Sequence, residues 1–233
     1  MARPATAFAG FGPKATEFFR ELANNNERAW FLEHKAVYER EVVSPLQLLL
    51  AALISAFAER GLPLTGDPKK SIFRIHRDVR FSNDKLPYKT HAGAALTRSG
   101  LKGSLGVLYL HVAADECFVA AGFWNPEREA LDALREAIFA QPARFLAVQA
   151  GLVDAGLPLD MSDSLTRMPR GFEDAADQPV APALKLKSFV VRQTIEVGSP
   201  GLVGEIVKFA EDARPLLDFG HAALTVLDPT RLK

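Results

Sequence analysis

Two runs with a period of two, joined by a short acidic turn, constrain the fold of this 233-residue chain more than any other feature. In 105–113, Val107, Tyr109 and His111 fall on one face of an extended segment, and Leu108, Leu110 and Val112 fall on the other. Asp115 and Glu116 turn the chain, and Cys117–Phe123 returns beside it as a hairpin partner. Neighbours joined by a short turn are antiparallel, because parallel strands need a long crossover. The expected class is therefore α+β rather than doubly wound: an antiparallel sheet of about five strands in the middle of the chain, flanked by N-terminal and C-terminal helices.

The flanks read as helices. Gly12-Pro13 starts one, with Phe18, Phe19 and Leu22 as its stripe, and Asn24-Asn25-Asn26 ends it. A second begins near Glu27, with Phe31, Tyr38 and Val42 on one face. Ser44-Pro45 is expected to break it and start a third, which Gly61 closes. Beyond the sheet, Asn125-Pro126-Glu127 reads as an N-cap, Gln141-Pro142 as another helix start, and Ser199-Pro200 as a third. A last short helix is expected over 215–226. No linker divides the chain, so the expectation is one domain over 1–233: helices 13–60, sheet 71–124, helices 126–155, an irregular stretch 157–183, a strand 184–197 and helices 200–226.

Charge is unevenly placed. The chain has 28 Lys and Arg against 28 Asp and Glu, yet 69–91 holds seven bases (Lys69, Lys70, Arg74, Arg77, Arg80, Lys85, Lys89) against Asp78 and Asp84. A local surplus of +5 is a statement about partners. Read as a strand, Arg74, His76, Asp78 and Arg80 share one face, each roughly 6.5–7 Å from the next. Phe73, Ile75, Arg77, Val79 and Phe81 share the other, so Arg77 must find a carboxylate or carbonyls, or a bulge at Arg77–Asp78 must turn it outward. Ser82-Asn83-Asp84 and Leu86-Pro87 make a loop carrying Asp84, Lys85, Tyr88 and Lys89.

Arg74-x-x-Arg77-Asp78-x-Arg80-Phe81, followed by Asp84-Lys85-x-x-Tyr88-Lys89, resembles the signature of a bacterial family of uncharacterised proteins, domain-of-unknown-function family 2461. The likeness extends to Asn25-Asn26-Glu27-Arg28-Ala29-Trp30-Phe31 with Lys35 and Tyr38, and to Gly122-Phe123-Trp124-x-Pro126. It covers nearly the whole chain. It implies no activity, substrate or cofactor. It implies only that Arg74, Arg77, Asp78, Arg80, Asp84, Lys85 and Tyr88 belong together, and it adds Arg28 and Lys35 as candidate members.

The residues themselves leave three readings open. In the first, Arg74, Arg77 and Arg80 hold a small phosphate- or carboxylate-bearing ligand through forked, charge-assisted hydrogen bonds, Lys85 closes the site, Lys89 is a further binding residue, and Arg28 and Lys35 join them on the strength of the resemblance. Asp78 and Asp84 then orient an arginine or act as base, and Tyr88 closes the site or acts as acid or base. In the second, the patch binds a nucleic-acid backbone, with Phe73, Phe81 or Tyr88 for stacking. A net charge of zero and a pI near 7.0 speak against nonspecific DNA binding. In the third, the charges are an ion network that fixes the fold. No metal is expected, because Arg74 and Arg80 flank His76 and Asp78 and no H-E-x-x-H or cysteine pair is present. No cofactor motif stands out. Gly100, Gly103 and Gly106 around Lys102 lack the order of a phosphate loop and read as a turn. Cys117 reads as a small core residue. The apolar run 46–58 is too short to span a bilayer and no secretory signal is visible, so the expected location is cytoplasmic, with no membrane partner.

Overall fold

The computed structural model describes residues 8–80 and 82–225, so Phe81 and Val226 lie outside the described residues. The chain forms two compact units: one of Met1–Lys102, Tyr109–Val119 and Thr194–Lys208, the other of Gly103–Leu108, Ala120–Gln193 and Phe209–Lys233. A single antiparallel sheet contains β1 (His91–Thr97), β2 (Val107–Ala113), β3 (Cys117–Phe123) and β4 (Phe189–Thr194), in that order. The α+β class and the central meander are as the sequence implies. The sheet has four strands among the described residues rather than five. The chain before β1 meets it at isolated bridges, Thr65 to Thr97 and, from the basic stretch, Ile72 to Ala94, and so adds no strand.

The first unit opens with α1 (Lys14–Asn24), whose Phe18, Phe19 and Leu22 are buried. Next, α2 (Arg28–Tyr38) and α3 (Ser44–Glu59) do not separate at Pro45, because a π turn, Glu39–Val43, carries the helix between them. Proline offers no amide hydrogen. The wider turn passes the Ser44 amide back to the Glu39 carbonyl, and the Ser44 hydroxyl donates to the same oxygen at 2.8 Å, so the chain stays helical past the proline. The resulting 32-residue run Arg28–Glu59 is, by length and composition, long and apolar enough to cross a membrane. Here its apolar stripe is spent on the protein's own core: Val42, Leu46, Leu49, Leu50, Leu53 and Phe57 are all buried. At Gly61 the backbone turns left-handed (φ 63°), and Leu62 N–H reaches the Phe57 carbonyl at 2.9 Å, which ends α3.

In the second unit, α4 (Arg128–Ala140) and α5 (Pro142–Asp154) start close to where the prolines predict. Asn125 is not the N-cap, however. It adopts φ 40° and donates its amide to the Ser188 hydroxyl at 2.9 Å, while Glu127 caps the helix. The stretch 157–183 is mostly irregular, with a 3₁₀ turn at Glu173–Ala175 before α6 (Ala181–Leu184). Arg135, inside α4, is buried and donates to the Leu186 carbonyl at 2.9 Å. The two C-terminal helices expected from the sequence are one, α7 (Leu202–Leu224), with Pro215 inside it. Buried residues continue on either side of the proline, at Phe209, Ala210 and Ala213 and then at Leu216, Leu217 and Phe219. That burial outweighs the helix break which propensity favours.

Candidate anion site

Everything in this site belongs to the first unit. Residues 71–77 run extended and antiparallel, first beside β1 and then beside their own return. Phe73 N–H donates to the Gly93 carbonyl (2.8 Å) and Ala95 N–H to that of Ser71 (3.0 Å). Farther on, Lys89 N–H donates to Ile75 (2.8 Å) and Arg77 N–H to Pro87 (2.9 Å), bracketing a bridge between His76 and Tyr88. Pro87 has no amide to donate and Thr90 is a bend, so the pairing never becomes a continuous ladder.

Burial still alternates with a period of two. Arg74, His76, Asp78 and Arg80 are exposed; Ile75 is buried; Phe73, Arg77 and Val79 are half-buried. The alternation passes through Arg77 and Asp78 without a change of phase. Arg77 meets its charge requirement through Asp84, by a 2.5 Å contact. Arg80 grips Asp78 with two hydrogen bonds, 2.9 and 2.7 Å. Lys85 donates to the Val79 carbonyl at 3.0 Å. Both carboxyls are held below their ordinary range, Asp78 chiefly by Arg80 and Asp84 chiefly by the Leu86 amide and then by Arg77. Asp84 and Asp78 are thus each engaged by an arginine, Arg77 and Arg80, whose charge they offset. Arg80 and Asp78 are exposed and the Arg77–Asp84 pair is partly so, and such pairs shape the loop more than they stabilise the fold.

Tyr88 is not on the loop surface. Its ring is buried against Phe31, 4.3 Å away, and lies 5.1 Å from His76. The Asn26 side chain binds the Tyr88 backbone twice: its Nδ2 donates to the carbonyl and its Oδ1 accepts from the amide, both at 3.0 Å. Asn26 thus acts as one more strand residue and anchors the basic stretch to the turn before α2. Asn26→Ala leaves both backbone groups beside the buried ring without partners, and a loss of about 2 kcal/mol in chemical denaturation is expected; a loss below about 0.5 kcal/mol would mean that water replaces the amide freely. Arg28 and Lys35 are exposed on α2, and Lys35 faces Glu39 at 3.6 Å.

A different set of cations converges nearby. The ammonium groups of Lys89 and Lys102 lie 5.7 and 5.4 Å from the centre of one ring, Phe73. Lys102 is fixed there by donating to the Ile72 carbonyl at 2.9 Å. Partial burial, then Arg74, then Lys102 push the Lys89 ammonium below its ordinary pKa. Among the described residues no carboxylate forms an ion pair with Arg74, Lys89 or Lys102, although Arg74 adds a weak pull on Asp78. Beside them on the sheet stand His91, Tyr109, His111 and Phe118, all half-buried. No three His, Cys, Asp or Glu side chains group as a metal would require, among the described residues.

Lys102 lies in a glycine-containing turn, and no pattern in its sequence neighbourhood joins it to Phe73. The available signal was the polar-aromatic face of β2 and the small residues of β1. Gly93 is small because a Cβ there would lie 2.6 Å from the Tyr109 hydroxyl oxygen.

His91 supplies a pH test. Burial, then His111, then Lys89 push its pKa down to about 4 from 6.5. The unfolded chain thus binds more protons between these values, and stability falls as pH drops from about 6.5 toward 4. His91→Gln should flatten that part of a Tm-against-pH curve; an unchanged slope would assign the acid sensitivity elsewhere.

A family profile described as conserved hypothetical protein (DUF2461) matches residues 14–219. The chain belongs to this family. The DUF2461 match takes in the N-terminal helices, the basic stretch, all four strands and most of α7. Neither the curated proteins nor the solved structures gave a match.

Proposed function

We propose that this DUF2461 protein binds a small phosphate- or carboxylate-bearing ligand, held by Arg74, Lys89 and Lys102 around Phe73. The observation that carries this reading is the pair of ammonium groups on one ring, with Arg74 beside them and no paired carboxylate. Like charges brought together in a partly dry place repel, and Lys89 registers that repulsion together with its burial. An anion turns the repulsion into attraction. Arg77, Arg80 and Lys85 serve the same site indirectly, by holding the loop that follows Arg74 with their charges already engaged. Asp78 and Asp84 are their positioning partners, and Tyr88 anchors the stretch from within the core.

A thermal-shift series with inorganic phosphate, pyrophosphate and citrate, at constant ionic strength, tests the reading. A ligand at one hundred times its Kd stabilises by about 2.7 kcal/mol, which for a chain of this size raises Tm by several degrees. If every anion shifts Tm no more than chloride at equal ionic strength, the reading fails.

A further inference from the structure

The ring that the cations share is also the edge of a larger aromatic surface. Tyr109 on β2 lies 6.2 Å from Phe73. On the same side of the sheet, His91 stacks on His111 (4.4 Å, 27°) and His111 on Phe118 (4.6 Å, 10°), a row crossing β1, β2 and β3. Tyr109 joins that row through its hydroxyl, 3.2 Å from His111 Nδ1, and through Phe118 at 6.0 Å. Gly93 removes the one side chain that would lift the tyrosine away from β1. A sheet face in contact with water ordinarily alternates polar residues outward. This one instead places four half-buried rings next to Phe73 and the two ammonium groups over it.

The geometry points to a ligand in which the anionic group is joined to a planar aromatic ring: a nucleoside phosphate, with its phosphates at Arg74, Lys89 and Lys102 and its base against Phe73 and Tyr109. This rests on the anion reading and narrows it. Every base has a π face, so stacking on tyrosine and phenylalanine selects for a base without choosing which one. Three cations match the charge of a nucleoside mono- or diphosphate. A polynucleotide requires a longer basic track, and the neighbouring arginines Arg77 and Arg80 are committed to Asp84 and Asp78.

Calorimetric titration with ADP, pyrophosphate and adenosine separates the two levels of the argument. ADP is expected to bind about tenfold or more tightly than pyrophosphate, the contribution of one stacked base. Tyr109→Leu should remove most of the advantage of ADP over pyrophosphate and leave pyrophosphate binding unchanged. Tyr109→Phe, which keeps the ring, should retain the preference and serves if the leucine variant fails to fold. Pyrophosphate binding as tightly as ADP overturns the nucleoside inference and leaves the anion reading standing. Binding of neither overturns both. A single-stranded oligonucleotide that binds more tightly than ADP, with an affinity falling steeply with salt, overturns the inference in favour of nucleic acid.

Discussion

Gly122→Ala is expected to destabilise the protein by about 4 kcal/mol or more, enough to abolish folding in a marginal domain. Elsewhere in a strand, replacing glycine by alanine stabilises slightly, by restricting the unfolded chain. Gly122 differs in two ways. Its φ is 139°, a region that L side chains rarely occupy, and a Cβ built on it would stand 2.0 Å from the Phe189 carbonyl oxygen and 2.9 Å from the Val190 Cα. Both obstacles are backbone atoms of β4, the strand next to β3, so no rotamer change relieves them. Either β3 and β4 part at this point, breaking their ladder, or the chain takes up the strain in Phe123 and Phe189, two of its largest fully buried side chains. Urea denaturation of the variant measures the effect. A loss under about 1 kcal/mol would show that the two strands can separate cheaply here.

The second large effect is on binding. The double variant Arg74→Ala with Lys89→Ala is expected to weaken affinity for the anion at least about 100-fold, because each charge-assisted hydrogen bond to a phosphate oxygen contributes roughly 1.5–3 kcal/mol. Its unliganded Tm should stay nearly level, since the repulsion removed offsets the lost Lys89 contact with the Phe73 ring and no ion pair among the described residues depends on either side chain. Arg77→Ala with Arg80→Ala is the opposite case. Both guanidiniums already face Asp84 and Asp78, so removing them should loosen the loop and change affinity only a few-fold. Equal losses from the two double variants would mean that the loop arginines touch the ligand themselves.

How much of this was legible in the sequence follows from the range of each interaction. The alternation at 107–113, its return at Cys117–Phe123 and the small residues of His91–Thr97 are local patterns, and they gave β2, β3 and β1 with nearly the right ends. The alternation of Arg74, His76, Asp78 and Arg80 with their apolar neighbours is likewise local, and it holds even though no strand forms there. Asp78 and Asp84 lie two and seven residues from the arginines they bind, near enough to be read as escorts. The prolines misled. Pro45 and Pro215 mark helix breaks by propensity, but a π turn absorbs the first and flanking burial on α7 outweighs the second.

What no local pattern contained was the meeting of Lys89 and Lys102 at Phe73, with Arg74 near enough to bear on the Lys89 ammonium. That meeting depends on the antiparallel bonds of Phe73 to Gly93 and of Lys89 to Ile75, and on Lys102 reaching back 30 residues to the Ile72 carbonyl; a residue in a glycine-rich turn gives no sign of such a partner. The same applies to Asn26, whose amide reaches Tyr88 across 62 residues. It also applies to Arg135, which spends its burial on the Leu186 carbonyl, 51 residues away. Tyr88 looked like a loop residue because Leu86-Pro87 precedes it; the Phe31 ring takes it into the core instead.

Locating the anion itself would decide the matter. Crystals of the protein grown with pyrophosphate should show it over Phe73, within hydrogen-bonding distance of Arg74, Lys89 and Lys102. A pyrophosphate bound instead by Arg77, Arg80 and Lys85 on the loop, or density for none at a concentration that raises Tm, would contradict the account.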